Sequence, residues 1–314
     1  MMAGQKQTTL RNRAVLSGIG VHSGSPVRIV LHPADTDTGI VFLRTGLANG
    51  HERLVEARHD KVAATELCTI IGDPSTGAVA TIEHLMAALS GLGVDNALIE
   101  IDGPEVPIMD GSAAPFVEAV DQAGIVRQSA ARRYVKVLKP VRVENGRAFA
   151  ELRPFPRGFR LEVEIDFPTP LIGRQKRILD LDPTSFRREV SRARTFGFMK
   201  DVERLWKAGF ALGASLDNTV ALGDDAVINP EGLRYPDEFV RHKTLDAVGD
   251  LALSGSPLLG HYRSFCGGHK MNVAVLQALF ADRTAYAIVD APRREPAADT
   301  AVIRPAFAYA PERH

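Results

Sequence analysis

Each half of this chain runs through short β-rich segments and turns before it reaches an apolar helical segment bearing a histidine, and this doubled order favours helices laid on sheets. In the first half, Val27-Arg28-Ile29-Val30-Leu31 and Gly39-Ile40-Val41-Phe42-Leu43 read as hairpin strands separated by the turn-forming Pro33-Ala34-Asp35-Thr36-Asp37. A helix over 81–89, a strand over 96–101 and a helix over 114–123 follow. The second half echoes the first: Val143-Glu144-Asn145-Gly146, Pro154 and a strand over 161–165 parallel Val21-His22-Ser23-Gly24, Pro33 and its strand. The stretch 126–133 is polar and basic without apolar period, and reads as a linker. The expected fold class is therefore α+β, with two similar domains, 1–128 and 129–314, each a β-sheet layer packed on helices. Residues 195–223 interrupt the echo as an insertion, with a helical run over 201–207 between apolar edges. The Pro-, Ala- and Arg-rich tail from Ala291 reads as loosely ordered.

At 314 residues and 45% apolar content the chain is long and greasy enough for two cores. Lys plus Arg balances Asp plus Glu at 38 each, so no overall field attracts nucleic acid or an anionic membrane. Cys68 and Cys266 are too few for a disulfide framework or a four-cysteine zinc site, which favours a reducing compartment. The start lacks the apolar core of a signal peptide, and no run approaches the ~18 apolar residues of a spanning helix. The expected location is the cytoplasm.

In the helix over 81–89, Ile82, Leu85, Met86 and Leu89 form the apolar stripe, which leaves His84 on the other side with Ala87, Ala88 and Gly91. Those small residues allow something to approach closely. After Asp237 a second helix repeats the arrangement: Val240, Thr244, Ala247, Val248 and Leu251 form a stripe, while His242, Asp246 and Gly249 lie opposite. His242 and Asp246 stand one turn apart and can reach one ion. Taken singly, each helix is explained as well by a surface histidine, or by a solvated His–Asp pair contributing a few tenths of a kcal/mol. Taken together, two imidazoles and a carboxylate leave a tetrahedral zinc one open position for water, as in catalytic sites. Glu83 points about 100° away from its neighbour His84. It therefore sits better as a base beside the ion than as a ligand. The combination reads as a metal-dependent hydrolase, with Zn²⁺ as the ion and Fe²⁺ or Co²⁺ also suited to the donor set.

At the level of motifs the chain resembles the UDP-3-O-acyl-N-acetylglucosamine deacetylases of lipid A synthesis over nearly its whole length. The likeness is carried by Ser17-Gly18-Ile19-Gly20-Val21-His22-Ser23-Gly24, by Thr81-Ile82-Glu83-His84 with Gly91-Leu92-Gly93-Val94-Asp95-Asn96, and by Pro107-Ile108-Met109-Asp110-Gly111-Ser112-Ala113. Further on it is carried by Ala193-Arg194-Thr195-Phe196-Gly197-Phe198, Asp237-Glu238-Phe239-Val240-Arg241-His242-Lys243 with Leu245-Asp246, and Gly268-His269 with Asn272. The resemblance implies that His84, His242 and Asp246 hold Zn²⁺, with Fe²⁺ as an in-cell alternative, and that Glu83 is the general base. It implies removal of acetate from the 2-acetamido group of an acylated UDP-glucosamine, the committed step of lipid A synthesis. It further implies His269 as electrophile or general acid, Asp250 as its orienting partner, and Thr195 as a hydrogen-bond donor to the oxyanion. Because His269 opens a helix whose dipole disfavours imidazolium, the Asp250 carboxylate is needed to bring its titration towards neutrality. A bell-shaped pH dependence follows, with Glu83 on the acid limb and His269 on the alkaline one.

For the substrate, the likeness implies Lys243 at a phosphate or the developing oxyanion and Asp166-Phe167 at the uracil. The insertion resembles a small β-α-β element lining the acyl chain, with Phe198, Val202 and Ala211 as walls. An exposed lysine and ordinary packing explain these residues equally well. The run Arg263-Ser264-Phe265-Cys266-Gly267-Gly268 departs from the basic residue usual before the histidine and leaves Arg263 as the substitute; Cys266 reads as structural. His22 lies in a family-like turn and stays outside the catalytic set, and Asp110-Gly111 reads as a tight turn. The expected protein is a monomer with a UDP-linked lipid substrate, no nucleic-acid partner, no spanning segment, and transient membrane contact through the lipid tail. Two other classes remain open: an amidohydrolase for a different N-acyl compound, and a nucleotide-sugar binding protein, against which Glu83 speaks.

Overall fold

The computed structural model describes residues 5–47 and 50–291. A five-stranded sheet is built from Ala14–Ile19, Pro26–Pro33, Ala97–Ile101, Ile40–Arg44 and Arg53–Glu56, in that spatial order. The Ile40–Arg44 strand runs parallel to Ala97–Ile101, and the other neighbours are antiparallel. The two runs read as a hairpin are therefore strands but not partners, because Ala97–Ile101 lies between them. That strand alternates buried Ala97, Ile99 and Ile101 with half-buried neighbours, and so brings an apolar face to the centre of the sheet.

A seven-stranded sheet occupies the second half. Its main path is Val141–Asn145, Ala148–Arg153, Leu258–Phe265, Arg133–Val137 and Tyr286–Asp290, with Phe159–Asp166 and Arg174–Asp180 attached alongside. The stretch expected to be a linker is instead a strand, Ile125–Ala131, antiparallel to Lys6–Leu10. Its side chains are polar because it is a half-exposed two-stranded ribbon, whose ladder needs backbone groups and not apolar ones. The insertion is a β-α-β unit as expected: Phe196–Phe198 and Val220–Leu222 pair in parallel around a short helix. The tail after Ala291 lies outside the described residues.

Six α-helices appear among the described residues: α1 Glu83–Leu92, α2 Ala114–Ala123, α3 Pro183–Glu189, α4 Val202–Lys207, α5 Glu238–Leu251 and α6 His269–Ala281. The first histidine helix thus starts two residues later than its pattern indicated, because Thr81 is held at a left-handed φ of 55°. Helices α1 and α5 pack on each other; α2 joins α1 against Ala14–Ile19, and α6 joins α5 against the Val141–Arg153 hairpin. The buried apolar cluster runs without a break from Leu10 to Ala285. This shared helical layer explains a difference from the one-sided stripes expected. In α1 every residue except Ser90 is buried, and in α5 His242, Asp246 and Gly249 are as buried as the apolar stripe.

The small residues serve this packing. A Cβ on Gly91 would stand 2.4 Å from the Phe186 ring of α3. A Cβ on Gly249 would stand 2.0 Å from the backbone oxygen of Glu83, so α5 touches the first turn of α1 only because position 249 lacks a side chain. In Gly249→Ala the helices must part, with an expected destabilisation of about 1–3 kcal/mol from overpacking. Divalent-metal affinity falls with it, since His84 follows Glu83 directly. Denaturant unfolding and metal titration of the variant check both outcomes.

Candidate metal centre and its surroundings

The contact between α1 and α5 brings His84, His242 and Asp246 together, all buried, with one ligand atom from each lying within 4.8 Å of the others. Nε2 of His242 stands 3.3 Å and Nε2 of His84 3.7 Å from Oδ1 of Asp246. The ligand atoms of a tetrahedral zinc with bonds of ~2.0–2.1 Å lie about 3.3 Å apart, so the spacing fits after small adjustment. The two rings meet edge to face, with centroids 5.0 Å apart.

Protonation decides what this cluster needs. Nδ1 of His242 donates to the Ala193 carbonyl at 3.1 Å, which puts the proton on that nitrogen. Burial pushes the His242 pKa down to about 3, further aided by His84 and Lys243, so the ring is neutral and its Nε2 is bare. Burial alone would raise Asp246, yet it is held well below the usual carboxylate range, with Lys243 as its charged neighbour. Its Oδ2 accepts from Lys243 Nζ at 2.8 Å, whereas its buried Oδ1 has no hydrogen-bond partner among the described residues. A bare nitrogen therefore faces a bare carboxylate oxygen at 3.3 Å. Two acceptors at that distance repel unless a cation lies between them, and this orphaned oxygen is the observation that fits a metal to the site.

Beside the triad lies a second pair of groups. Glu83 is in the first turn of α1, and burial raises its carboxyl above the ordinary glutamate value although His269 and His84 act in the opposite direction. Its Oε1 stands 3.8 Å from Nε2 of His269. His269 opens α6, and its Nδ1 bonds Asp250 Oδ2 at 2.8 Å. Burial alone would lower its pKa, but Asp250 and then Glu83 outweigh it and push it up to about 9. The carboxylates beside the ring thus favour its charged form beyond neutrality.

The remaining expected residues are placed unevenly. Thr195 is half-buried, donates its backbone N–H to Gly111 at 2.8 Å, and leaves its hydroxyl without a hydrogen bond among the described residues. Phe167 and Phe198 meet at 6.2 Å in an aromatic group whose third member, Phe196, lies 6.2 Å from the His242 ring. Asp166 is tied to Arg147 through both its side chain and its carbonyl. Lys243, partly exposed, donates to Asp246 at 2.8 Å. Arg263 is paired with Glu162 at 3.3 Å and Glu151 at 3.6 Å. On the Leu258–Phe265 strand its buried neighbours Tyr262 and Ser264 take the face towards α6, so strand alternation turns Arg263 to the other face and removes it as the substitute phosphate contact. Cys266 is half-buried at φ 49°, with Sγ near the Asp166 carbonyl. Burial and then Glu83 push the thiol of Cys68 up to about 12, which makes it inert.

Several supporting residues escaped the sequence reading. Glu105 is buried and accepts from the backbone N–H groups of His22 and Ser23 and from the Thr81 hydroxyl, binding the glycine-rich turn to the start of α1. His22 itself packs edge-on against Phe210 and accepts from the Ala211 N–H. Arg194, with its side chain 2% exposed, donates Nε to Glu238 at 2.9 Å and also reaches Glu231 and the Gly232 carbonyl. It clamps the segment whose neighbouring members are the Ala193 carbonyl and Thr195. Only its place in the Ala193–Phe198 motif marked it. A cleft of about 1540 Å³ is lined by Arg58, His59, Arg132, Tyr134, Arg157 and Tyr286 among others, and none of the three candidate ligands lines it.

A family model for UDP-3-O-acyl N-acetylglycosamine deacetylases matches residues 7–281. The chain belongs to that family. Proteins named UDP-3-O-acyl-N-acetylglucosamine deacetylase from Brucella ovis and Brucella abortus are 54% identical to it over 286 residues, covering 91% of this chain and 99% of each relative. The relative of the same name from Brucella melitensis matches at the same identity and coverage. Within this deacetylase family fold, the Arg194 clamp makes a direct claim on the metal centre. In Arg194→Met the fully buried Glu238 carboxylate loses its guanidinium partner while keeping the Arg194 and Arg234 backbone N–H donors, with an expected loss of about 3–5 kcal/mol of stability. Metal affinity is expected to fall roughly 10–100-fold as the Ala193 carbonyl slackens its hold on His242. Chelator competition and unfolding curves, with Arg194→Lys as the milder control, measure the two effects.

Proposed function

We propose that this protein is a zinc-dependent deacetylase that hydrolyses the 2-acetamido group of UDP-3-O-(3-hydroxyacyl)-N-acetylglucosamine, the committed step of lipid A synthesis. The observation that carries the reading is the bare Nε2 of His242 facing the orphaned Oδ1 of Asp246, with the Glu83–His269 pair alongside. His84, His242 and Asp246 would hold the ion, which when bound supplies Lewis acidity to the amide carbonyl and to water. Fe²⁺ satisfies the same donors.

Glu83 takes a proton from the attacking water. Its raised pKa makes it a better proton acceptor than an exposed glutamate, and its site excludes bulk solvent. Thr195 offers its unbonded hydroxyl to the oxygen that becomes negative, and the imidazolium of His269 adds its charge there. As the C–N bond breaks, His269 passes its proton to the departing nitrogen, leaving acetate and the free 2-amine. Lys243 holds Asp246 in its ligating position. Phe167 with Asp166 receives the uracil, and Phe198, Val202 and Ala211 of the insertion line the acyl chain.

The same reading divides the chain into domains 1–128 and 129–314, so that Glu83 and His84 come from one and His242, Asp246 and His269 from the other. It places a monomer in the cytoplasm with brief membrane contact during substrate uptake. No helix among the described residues is long and apolar enough to cross a membrane.

The deciding experiment is elemental analysis of purified protein followed by acetate release from the UDP-linked substrate. Glu83→Gln is expected to keep the metal and lose roughly 10²–10⁴-fold in kcat. Loss of metal without loss of acetate release would overturn the reading. The pH dependence follows from the two displaced groups. Activity requires ionised Glu83 and protonated His269, so kcat/KM rises through a pH above the ordinary glutamate value and falls as pH passes about 9. In His269→Ala the alkaline fall is expected to disappear, as pH-rate profiles of both proteins will show.

A further inference from the structure

Thr69 has been given no part so far, yet it touches both members of the Glu83–His269 system. It is fully buried, just ahead of the short strand Ile70–Ile71, and its backbone N–H donates to Oε2 of Glu83 at 3.1 Å. Its hydroxyl donates to Oδ1 of Asp250 at 2.6 Å. The other oxygen of each carboxylate faces His269: Oε1 of Glu83 lies 3.8 Å from Nε2, and Oδ2 of Asp250 lies 2.8 Å from Nδ1.

We infer that Thr69 is a positioning residue that sorts the carboxylate oxygens, occupying one on Glu83 and one on Asp250 so that the remaining pair is turned towards the reacting groups. This rests on the proposed roles of Glu83 and His269. The physical need is plain in a carboxylate, which can rotate and present either oxygen. A donor fixed by the backbone stops Glu83 from rotating, and the hydroxyl does the same for Asp250. Asp250 also accepts from Asn272 Nδ2 at 2.8 Å on Oδ2, and Asn272 in turn accepts from the buried Tyr262 hydroxyl. Asp250 thereby accepts from several donors in a pocket where it is 0% exposed, a setting that holds it rigid. Because Thr69 belongs to the segment before α1 and Asp250 to α5, the hydroxyl bond also fixes the base relative to the helix that orients His269. The chain reaches this position through Leu67, held at a left-handed φ of 64°.

Thr69→Val keeps the shape and the backbone N–H but removes the hydroxyl, while Thr69→Ser restores it. Thr69→Val is expected to retain its full metal content and its KM and to lose about 10–100-fold in kcat, the equivalent of one hydrogen bond to a charged group. Thr69→Ser is expected to stay within a few-fold of the parent. If the valine variant does not fold, Thr69→Ala against Thr69→Ser gives the same comparison. A kcat unchanged in folded Thr69→Val or Thr69→Ala, or a serine variant as impaired as the valine one, overturns the inference. Glu83→Gln and His269→Ala run alongside distinguish the two failures: if they too keep parental acetate release, the roles of the pair fall first; if they lose it while Thr69→Val does not, only Thr69 is misassigned.

Discussion

The contact of α5 on the first turn of α1 is the constraint from which the rest of the molecule takes its order. Gly249 lies against the backbone of Glu83, and this single close approach brings His84 to His242 and Asp246 while also placing Glu83 near His269. Neither helix could do so from the surface of its own sheet. Both are buried on all sides, so the imidazoles and carboxylates enter a region where unpaired polar groups are costly. The core carries that cost because it is continuous through both halves, and the candidate metal centre is in effect a polar seam within it.

The same burial divides the titratable groups by charge. His242, where burial outweighs the nearby Asp246 carboxylate, is neutral at physiological pH; Asp246, one turn on, is ionised beside Lys243. His269 is equally buried but faces two carboxylates and retains its proton. Two histidines in one pocket thus take opposite states: at His242 the one carboxylate of Asp246 does not offset burial, whereas at His269 Asp250 and Glu83 together do. A neutral donor suits cation binding and a charged one suits oxyanion stabilisation, so the arrangement separates the two tasks within one small volume.

How much of this could be read in the sequence depended on distance along the chain. The i, i+4 spacing of His242 and Asp246 and the adjacency of Glu83 and His84 are local, and they were legible as soon as helical periodicity was applied. The motifs carry His269 and Thr195, and the family likeness implies Asp250. Three things were not legible. Apolar stripes marked one face of α1 and α5, but the opposite faces are buried by another helix, which periodicity cannot reveal. The Ile125–Ala131 strand was mistaken for a linker because its pairing with Lys6–Leu10 spans most of the first half. Arg263 looked like a free cation because its partners, Glu151 and Glu162, are on neighbouring strands. Glu105, Thr69 and Arg194 were missed for the same reason: each acts through a contact far away in sequence.

The distribution of backbone strain follows the same logic. Of the non-glycine residues with positive φ, Leu67 precedes Thr69, Thr81 precedes Glu83, Met109 precedes the Gly111 carbonyl that holds Thr195, Ala211 meets His22, and Cys266 leads into His269. Among the described residues only Asp37 stands apart. Each such conformation costs roughly 1–3 kcal/mol and persists only where surrounding structure fixes it. Here the fixing is visible: the Thr81 hydroxyl is held by buried Glu105, and the Cys266 N–H by the Glu164 carbonyl. A regular helix or strand advances its side chains at fixed angles, and functional groups from separate elements must meet at angles those periods do not supply. The left-handed residues are the bends at which the chain leaves one regular course and enters the next with a functional group correctly aimed, and the stability for them comes from the core into which α1, α5 and α6 are packed.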